Sequence, residues 1–288
     1  MNYVVMMSTN IMAKANRVYK TKVPVTKNQQ VEAEVVDITY QGMGVIKIDN
    51  FPIFVIDAIP GEVVQVGITK VLKSYAFGRV IKRVKASPNR AENVDKVAIT
   101  TGIAPLANLK YEAQLTFKQR QVEQLFKKVN VSVEVNPTIG MTDPTKYRNK
   151  AQVPVQMVNG QLETGFYRRG SHKLMPVEDF YIQDPKVDEA VSVTRDVLRD
   201  LGISAYDEET HKGVVRHIMA RRGFYSHELM VVIITNTKKL PEADNIAAAL
   251  RAKLPELKSF IHNINNHDTN VIMGQWNETV WGADEIHD

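Results

Sequence analysis

The feature that most constrains this chain is a succession of short, apolar, β-rich runs between residues 31 and 84, interrupted by turn chemistry. The runs are residues 31–38, 45–48, 53–56, 63–71 and 78–84. Gly42-Met43-Gly44, Asp49-Asn50 and Pro60-Gly61 separate them, residue types that supply the positive or fixed φ a tight turn needs. Five short strands over about 55 residues predict a small closed or nearly closed β-barrel. Ser87-Pro88-Asn89-Arg90 ends that unit.

The remaining pattern is mixed. At 288 residues the chain is long enough for two domains. Residues 1–29 are polar and basic without a sustained period and are expected to form a disordered tail, with the barrel over 30–88 and an α+β domain over 89–288. Helices are expected at 111–128, where Leu115, Val122, Leu125 and Phe126 form a stripe, and at 185–201 and 241–253. Asp184 is placed to cap the second of these, Pro185 to open it and Gly202 to follow its end. Asn159-Gly160 is a strong two-residue hairpin signal and joins strands at 153–158 and 161–167. Further strands are expected at 214–220 and 228–235, and a last pair at 260–265 and 270–273, while 91–108 reads as irregular.

Composition narrows the chemistry. There is no cysteine, so disulfides, thiolate metal sites and cysteine nucleophiles are excluded from these residues. His211, His217 and His227 match no metal-ligand spacing, so no metal site is expected. No apolar run approaches the roughly 20 residues of a membrane helix, and the N-terminus lacks the basic region of a signal peptide. A cytoplasmic location is the resulting expectation. Lys and Arg number 37 against 32 Asp and Glu, for a net charge of +5. So small an excess matters only if it is concentrated.

It is concentrated in two places. Lys70, Lys73, Arg79, Lys82, Arg83 and Lys85 fall in one stretch without an acid, interleaved with Tyr75 and Phe77. Cations follow a phosphate backbone and aromatic faces stack on unpaired bases, so this is the composition of a single-strand RNA surface. The competing account is a solvated strand face with Phe77 in the core. A five-stranded barrel, a fold often used for oligonucleotides, favours the RNA account. The second set is Lys146, Arg148, Lys150, Arg168, Arg169, His172 and Lys173. The hairpin would bring Arg148 and Lys150 towards Arg168 and Arg169, a convergence suited to phosphates.

Two resemblances bear on these sets. Val35-Val36-Asp37-Ile38, Gly42-Met43-Gly44-Val45, Ala58-Ile59-Pro60-Gly61-Glu62 and Arg79-Val80 resemble a TRAM domain, a small RNA-binding β-barrel. Tyr147-Arg148-Asn149-Lys150-Ala151-Gln152-Val153-Pro154-Val155, Gly165-Phe166-Tyr167-Arg168-Arg169-Gly170-Ser171-His172 and Asn270-Val271-Ile272-Met273-Gly274 resemble the central domain of TRAM-bearing 23S rRNA uracil-C5 methyltransferases. The resemblance implies an enzyme that uses S-adenosylmethionine. A cysteine thiolate adds at C6 of uracil, C5 takes the methyl group, and a base removes the C5 proton. Where many members hold an iron–sulfur cluster, residues 100–109 here offer no thiolate, so the resemblance implies no cluster.

With no cysteine and no glycine-rich strand–helix turn, the chain is expected to be the RNA-recognition portion of such an enzyme. It would be a fragment ending before a Rossmann-like methyltransferase domain, inactive alone and with no cofactor of its own. The alternative is a stand-alone RNA-binding protein. The expected partner is a single-stranded or loop region of 23S-like ribosomal RNA, bound by a monomer. The residues expected to bind it are Lys70, Lys73, Tyr75, Arg79, Lys82, Arg83, Lys85, Arg148, Lys150, Arg168, Arg169 and His172.

Overall fold

The structure, a computed structural model, describes residues 23–288. The expected tail at 1–29 therefore falls largely outside the described residues. Residues 23–29 do not behave as a tail, because Val25 is buried in the barrel core with Val23 packed against it.

The first unit is a six-stranded sheet of β1 (Gln30–Glu34), β2 (Asp37–Ile38), β3 (Met43–Ile48), β4 (Phe51–Ile56), β5 (Val63–Val71) and β6 (Ala76–Lys85), in the order β1-β5-β6-β4-β3-β2. The single strand expected at 31–38 is two strands. The chain changes partner at Val35 and Val36, whose N–H groups donate to Glu62 O and Val45 O, both at 2.9 Å. Both ends of the sheet order thus belong to one chain segment, and that corner closes the barrel. Ile46, Ile53, Val55, Val64, Val66 and Ala76 fill the interior. In β6, Ala76 and Gly78 point inward and Phe77 outward, because a Cβ on Gly78 would lie 2.3 Å from Val66 Cγ1.

The segment expected to be irregular contains α1 (Lys96–Thr101), capped by Asp95, whose carboxylate accepts from Val97 N and Ala98 N. Helix α2 (Tyr111–Lys128) follows and buries none of its residues: Leu125 is 65% exposed, so its apolar stripe does not face the core.

The second unit is a seven-stranded sheet of β7 (Lys150–Val158), β8 (Gln161–Tyr167), β9 (Leu174–Pro176), β10 (Val215–Arg222), β11 (Leu229–Thr235), β12 (Leu257–Ile264) and β13 (Trp276–Gly282), ordered β13-β12-β11-β10-β7-β8-β9. Only β11 and β12 pair in parallel, and α4 (Ala243–Lys253) crosses between them. Helix α3 (Pro185–Asp200) is capped by Asp184, which accepts from Lys186 N at 2.7 Å. Its stripe of Val187, Ala190, Val191, Val197 and Leu198 packs with Ile246 and Leu250 of α4 on one sheet face. The opposite face carries a smaller cluster, Met219, Val232, Ile234 and Ile261.

The expected strand at 270–273 is a loop. Asn265 Nδ2 donates to Val271 O and Ile272 O at 2.7 and 3.0 Å, taking those carbonyls out of any ladder, and β13 pairs with β12 instead.

Candidate nucleic-acid interface

A cleft of about 950 Å³ separates the barrel from the segments that carry α1 and the β8–β9 turn. On the barrel side one cross-strand row runs Val45, Phe54, Phe77, Lys70 through β3, β4, β6 and β5. Inward pointing by Ile53 and Val55 forces Phe54 outward, and the same alternation turns Phe77 out beside it. Tyr75 completes a triad of rings: it lies 5.6 Å from Phe54 and 5.5 Å from Phe77, both edge to face. All three rings are part-exposed, and Phe54 and Phe77 line the cleft with Lys70 and Tyr40.

Arg169 faces this row from the other wall. Its Nη1 donates to Gln41 O at 3.0 Å, and its backbone N–H donates to Thr100 O at 3.2 Å. Gly102, the left-handed cap residue of α1, makes room for it, since a Cβ there would lie 2.7 Å from Arg169 Nε. Burial lowers the Arg169 pKa, yet a guanidinium so far above neutrality stays charged. One cation therefore ties the two units together and keeps donors at the cleft.

The expected binding residues separate into several groups. Lys70 and Arg169 stand in the cleft and Tyr75 belongs to its ring triad. Arg79 is exposed beside Ile56, a cleft-lining neighbour in β4. Lys73 is exposed at the opposite end, beside Asp49, Phe51 and Pro52. Lys82 and Lys85 are exposed further along β6, Lys85 about 25 Å from Phe77 at the rise of an extended strand.

Arg83 is not free for a polyanion. Its Nε lies 2.8 Å from the fully buried Glu62 and its Nη2 donates to Asp57 O at 2.8 Å. Arg168 is exposed on the β8–β9 turn, and His172 beside it pairs with Glu208 at 3.0 Å, an acid that competes with phosphate.

The hairpin does not bring the second set together as expected. Its ladder runs only from Val158↔Gln161 to Val155↔Thr164, because β8 then leaves β7 to pair with β9. Lys150 faces Arg221 of β10 instead, while Arg169 faces the barrel. Phe54 and Tyr40 were missed; the alternation of residues 51–56 was the signal that could have exposed Phe54.

Comparison with known proteins places this geometry. The TRAM domain model matches residues 24–81, the span that forms the barrel. An RNA methyltransferase of Lactiplantibacillus plantarum is 53% identical over 270 residues, 93% of this chain and 59% of that protein. The chain carries a TRAM domain and is similar to RNA methyltransferases over nearly its whole length. A second such relative, from Enterococcus faecalis, is 43% identical over 92% of this chain and 58% of its own length. The chain thus spans less than two thirds of the relatives it matches. Among solved structures, the Pyrococcus abyssi tRNA (uracil-54, C5)-methyltransferase in complex with S-adenosyl-L-homocysteine aligns with a TM-score of 0.64 at 20% identity, over 88% of this chain and 56% of that one.

These likenesses correct three expectations. The family match and the fold match both run through barrel and sheet unit together, over 93% and 88% of the chain. A description that sets this chain apart from the methyltransferase fold is therefore overturned, and with it the account as a stand-alone RNA-binding protein unrelated to those enzymes. Against the expectation of no cofactor stands the Pyrococcus abyssi enzyme of matching fold, which was solved with S-adenosyl-L-homocysteine. The physical reason is that cysteine and glycine counts describe side-chain chemistry, whereas fold is carried by strand order and register.

Within this chain, the parallel β11–α4–β12 unit is the kind of place where nucleotides bind. Its turn reads Asn236-Thr237-Lys238-Lys239-Leu240-Pro241, without glycine, and Glu242, the residue that precedes α4, has φ 56° and makes no side-chain cap. Those residues do not fit a nucleotide cofactor, and no step is routed through them.

Proposed function

We propose that this chain serves S-adenosylmethionine-dependent methylation of uracil C5 in RNA, with an unpaired stretch of the RNA lying in the cleft between barrel and sheet unit. The observation that carries this reading is the meeting in one cleft of two part-exposed rings, Phe54 and Phe77, with Lys70 and Arg169. Every base has a π face, so rings hold unpaired nucleotides with little sequence preference while cations track the phosphates. A uracil within a helix keeps C5 stacked, and a surface that binds unpaired nucleotides favours the exposed base that such chemistry needs. The methyl donor supplies an electrophilic sulfonium methyl group; the residues assigned here bind and orient RNA. With no cysteine in the 288 residues, none is assigned the role of nucleophile.

The finer reading is a 23S-like ribosomal RNA partner, bound by a monomer in the cytoplasm. No helix among the described residues is long and apolar enough to cross a membrane, which agrees with that location.

Filter binding tests the reading. A loop-containing ribosomal RNA should bind more tightly than a duplex of equal length. Phe54→Ala and Phe77→Ala should each weaken binding about tenfold, in line with about 1–3 kcal/mol per stacked base. Lys70→Ala should lower the slope of log affinity against log salt by about one. Unchanged affinity in the double ring variant would remove the cleft as the site. Tighter binding to a tRNA transcript than to the ribosomal loop would sink the ribosomal assignment alone.

A further inference from the structure

Lys150 and Arg221 stand directly opposite each other in the antiparallel β7–β10 ladder. They share the sheet face opposite the helices, since their neighbours Ala151 and Ala220 are buried in the helix-covered core. Side chains so opposed approach within about 5 Å at Cβ, and like charges at that spacing work against the sheet. Neither cation has an ion pair among the described residues, and the carboxylates of Asp184 and Glu256 are engaged by Arg222 at 3.3 and 2.8 Å. A third cation joins them: Arg148 is exposed and its Nε donates to Lys150 O at 2.9 Å, which lays the guanidinium over the Lys150 backbone.

Just beyond Arg221 the chain turns, and the turn lifts two aromatic rings into solvent. Phe224 is 65% and Tyr225 is 82% exposed, with ring centres 5.0 Å apart and edge to face. The turn is braced, because Gly223 N–H donates to Glu228 O at 2.9 Å and Ser226 Oγ donates to His287 O at 2.6 Å. Three unneutralised cations beside a braced, exposed ring pair match an anion linked to a flat π system, which is the chemistry of a nucleotide.

We infer that Arg148, Lys150 and Arg221 hold an RNA phosphate and that Tyr225 stacks on the base beside it, a second RNA contact separate from the barrel cleft. The inference rests on the reading that the chain binds RNA. The like-charge pair persists because its partner is a phosphate supplied by the RNA.

Arg221→Glu separates this role from a structural one. Glu opposite Lys150 turns repulsion into an ion pair, so Tm should rise or hold while affinity for the ribosomal loop falls about tenfold and the salt slope drops by about one to two. Tyr225→Ala should weaken binding by a similar factor with the slope unchanged, as expected for stacking. If Phe54→Ala weakens binding but Arg221→Glu leaves affinity and slope unchanged, the inference falls and the cleft reading stands. If the unmodified chain binds no RNA, both fall. Should polyglutamate bind as tightly as RNA and lose that affinity in Arg221→Glu, the site belongs to an acidic polypeptide and the inference is overturned.

Discussion

Replacing Glu62 by Gln is expected to lower the free energy of unfolding by about 3–5 kcal/mol, the usual cost of removing one partner from a buried ion pair. Glu62 is fully buried, and three donors converge on it. Arg90 donates from Nε to Oε1 at 2.6 Å and from Nη2 to Oε2 at 3.0 Å, Ile59 N–H donates to Oε2 at 3.1 Å, and Arg83 Nε lies 2.8 Å from Oε1 as an ion pair. Gln keeps the shape but leaves two guanidiniums with only Asp57 between them. Burial alone would raise the Glu62 pKa, but the Arg90 hydrogen bond, the Ile59 N–H and the charges of Arg90 and Arg83 outweigh it, and the pKa is lowered.

The sign of the pH dependence follows. A carboxyl with a lower pKa folded than unfolded adds stability above its unfolded pKa of about 4.3 and loses it as pH falls through the folded value. Urea denaturation should therefore show wild type and Glu62→Gln far apart at neutral pH and converging below the ordinary carboxylate range. A gap under about 1 kcal/mol at pH 7, the scale of an exposed pair, would show that the cluster contributes no more than a surface ion pair.

Gly42→Ala is expected to cost about 3 kcal/mol or more, combining backbone strain with a clash. Gly42 has φ +74° and a Cβ there would lie 1.8 Å from Pro105 O, so backbone meets backbone and the 102–109 segment must move off the barrel. Pro105 and Gln41 both line the cleft, and Gln41 is the acceptor for Arg169, so RNA affinity should fall with stability. Gly160→Ala provides the control: its φ is +83° but no atom lies within 4 Å of the added carbon. It should show only the strain, about 1–2 kcal/mol. Equal losses in the two variants would rule out close packing at Gly42.

Much of the fold was legible from local rules. The Asp184–Pro185 start of α3 and the Asn159-Gly160 turn follow from residue types that fix φ or supply a cap, interactions complete within a few residues. Apart from the short α1, whose Asp95 cap is local, what failed depends on a distant partner. The split at Val35 needs Glu62 and Val45 as acceptors, and the loop at 270–273 needs the Asn265 side chain. The pairing of the expected RNA-binding residues was hidden for the same reason: Arg83 looks like any cation of β6 until Glu62 is found buried against it.

By itself the sequence determined the barrel, the helix ends, the family resemblance and the presence of two basic sets, because composition, period and caps act locally. Tertiary structure alone decided which charges are free. It pinned Arg83 on Glu62, carried Arg169 to the barrel and set Lys150 against Arg221, since an ion pair or a cleft exists only once strand register brings residues distant in sequence within a few ångströms of each other.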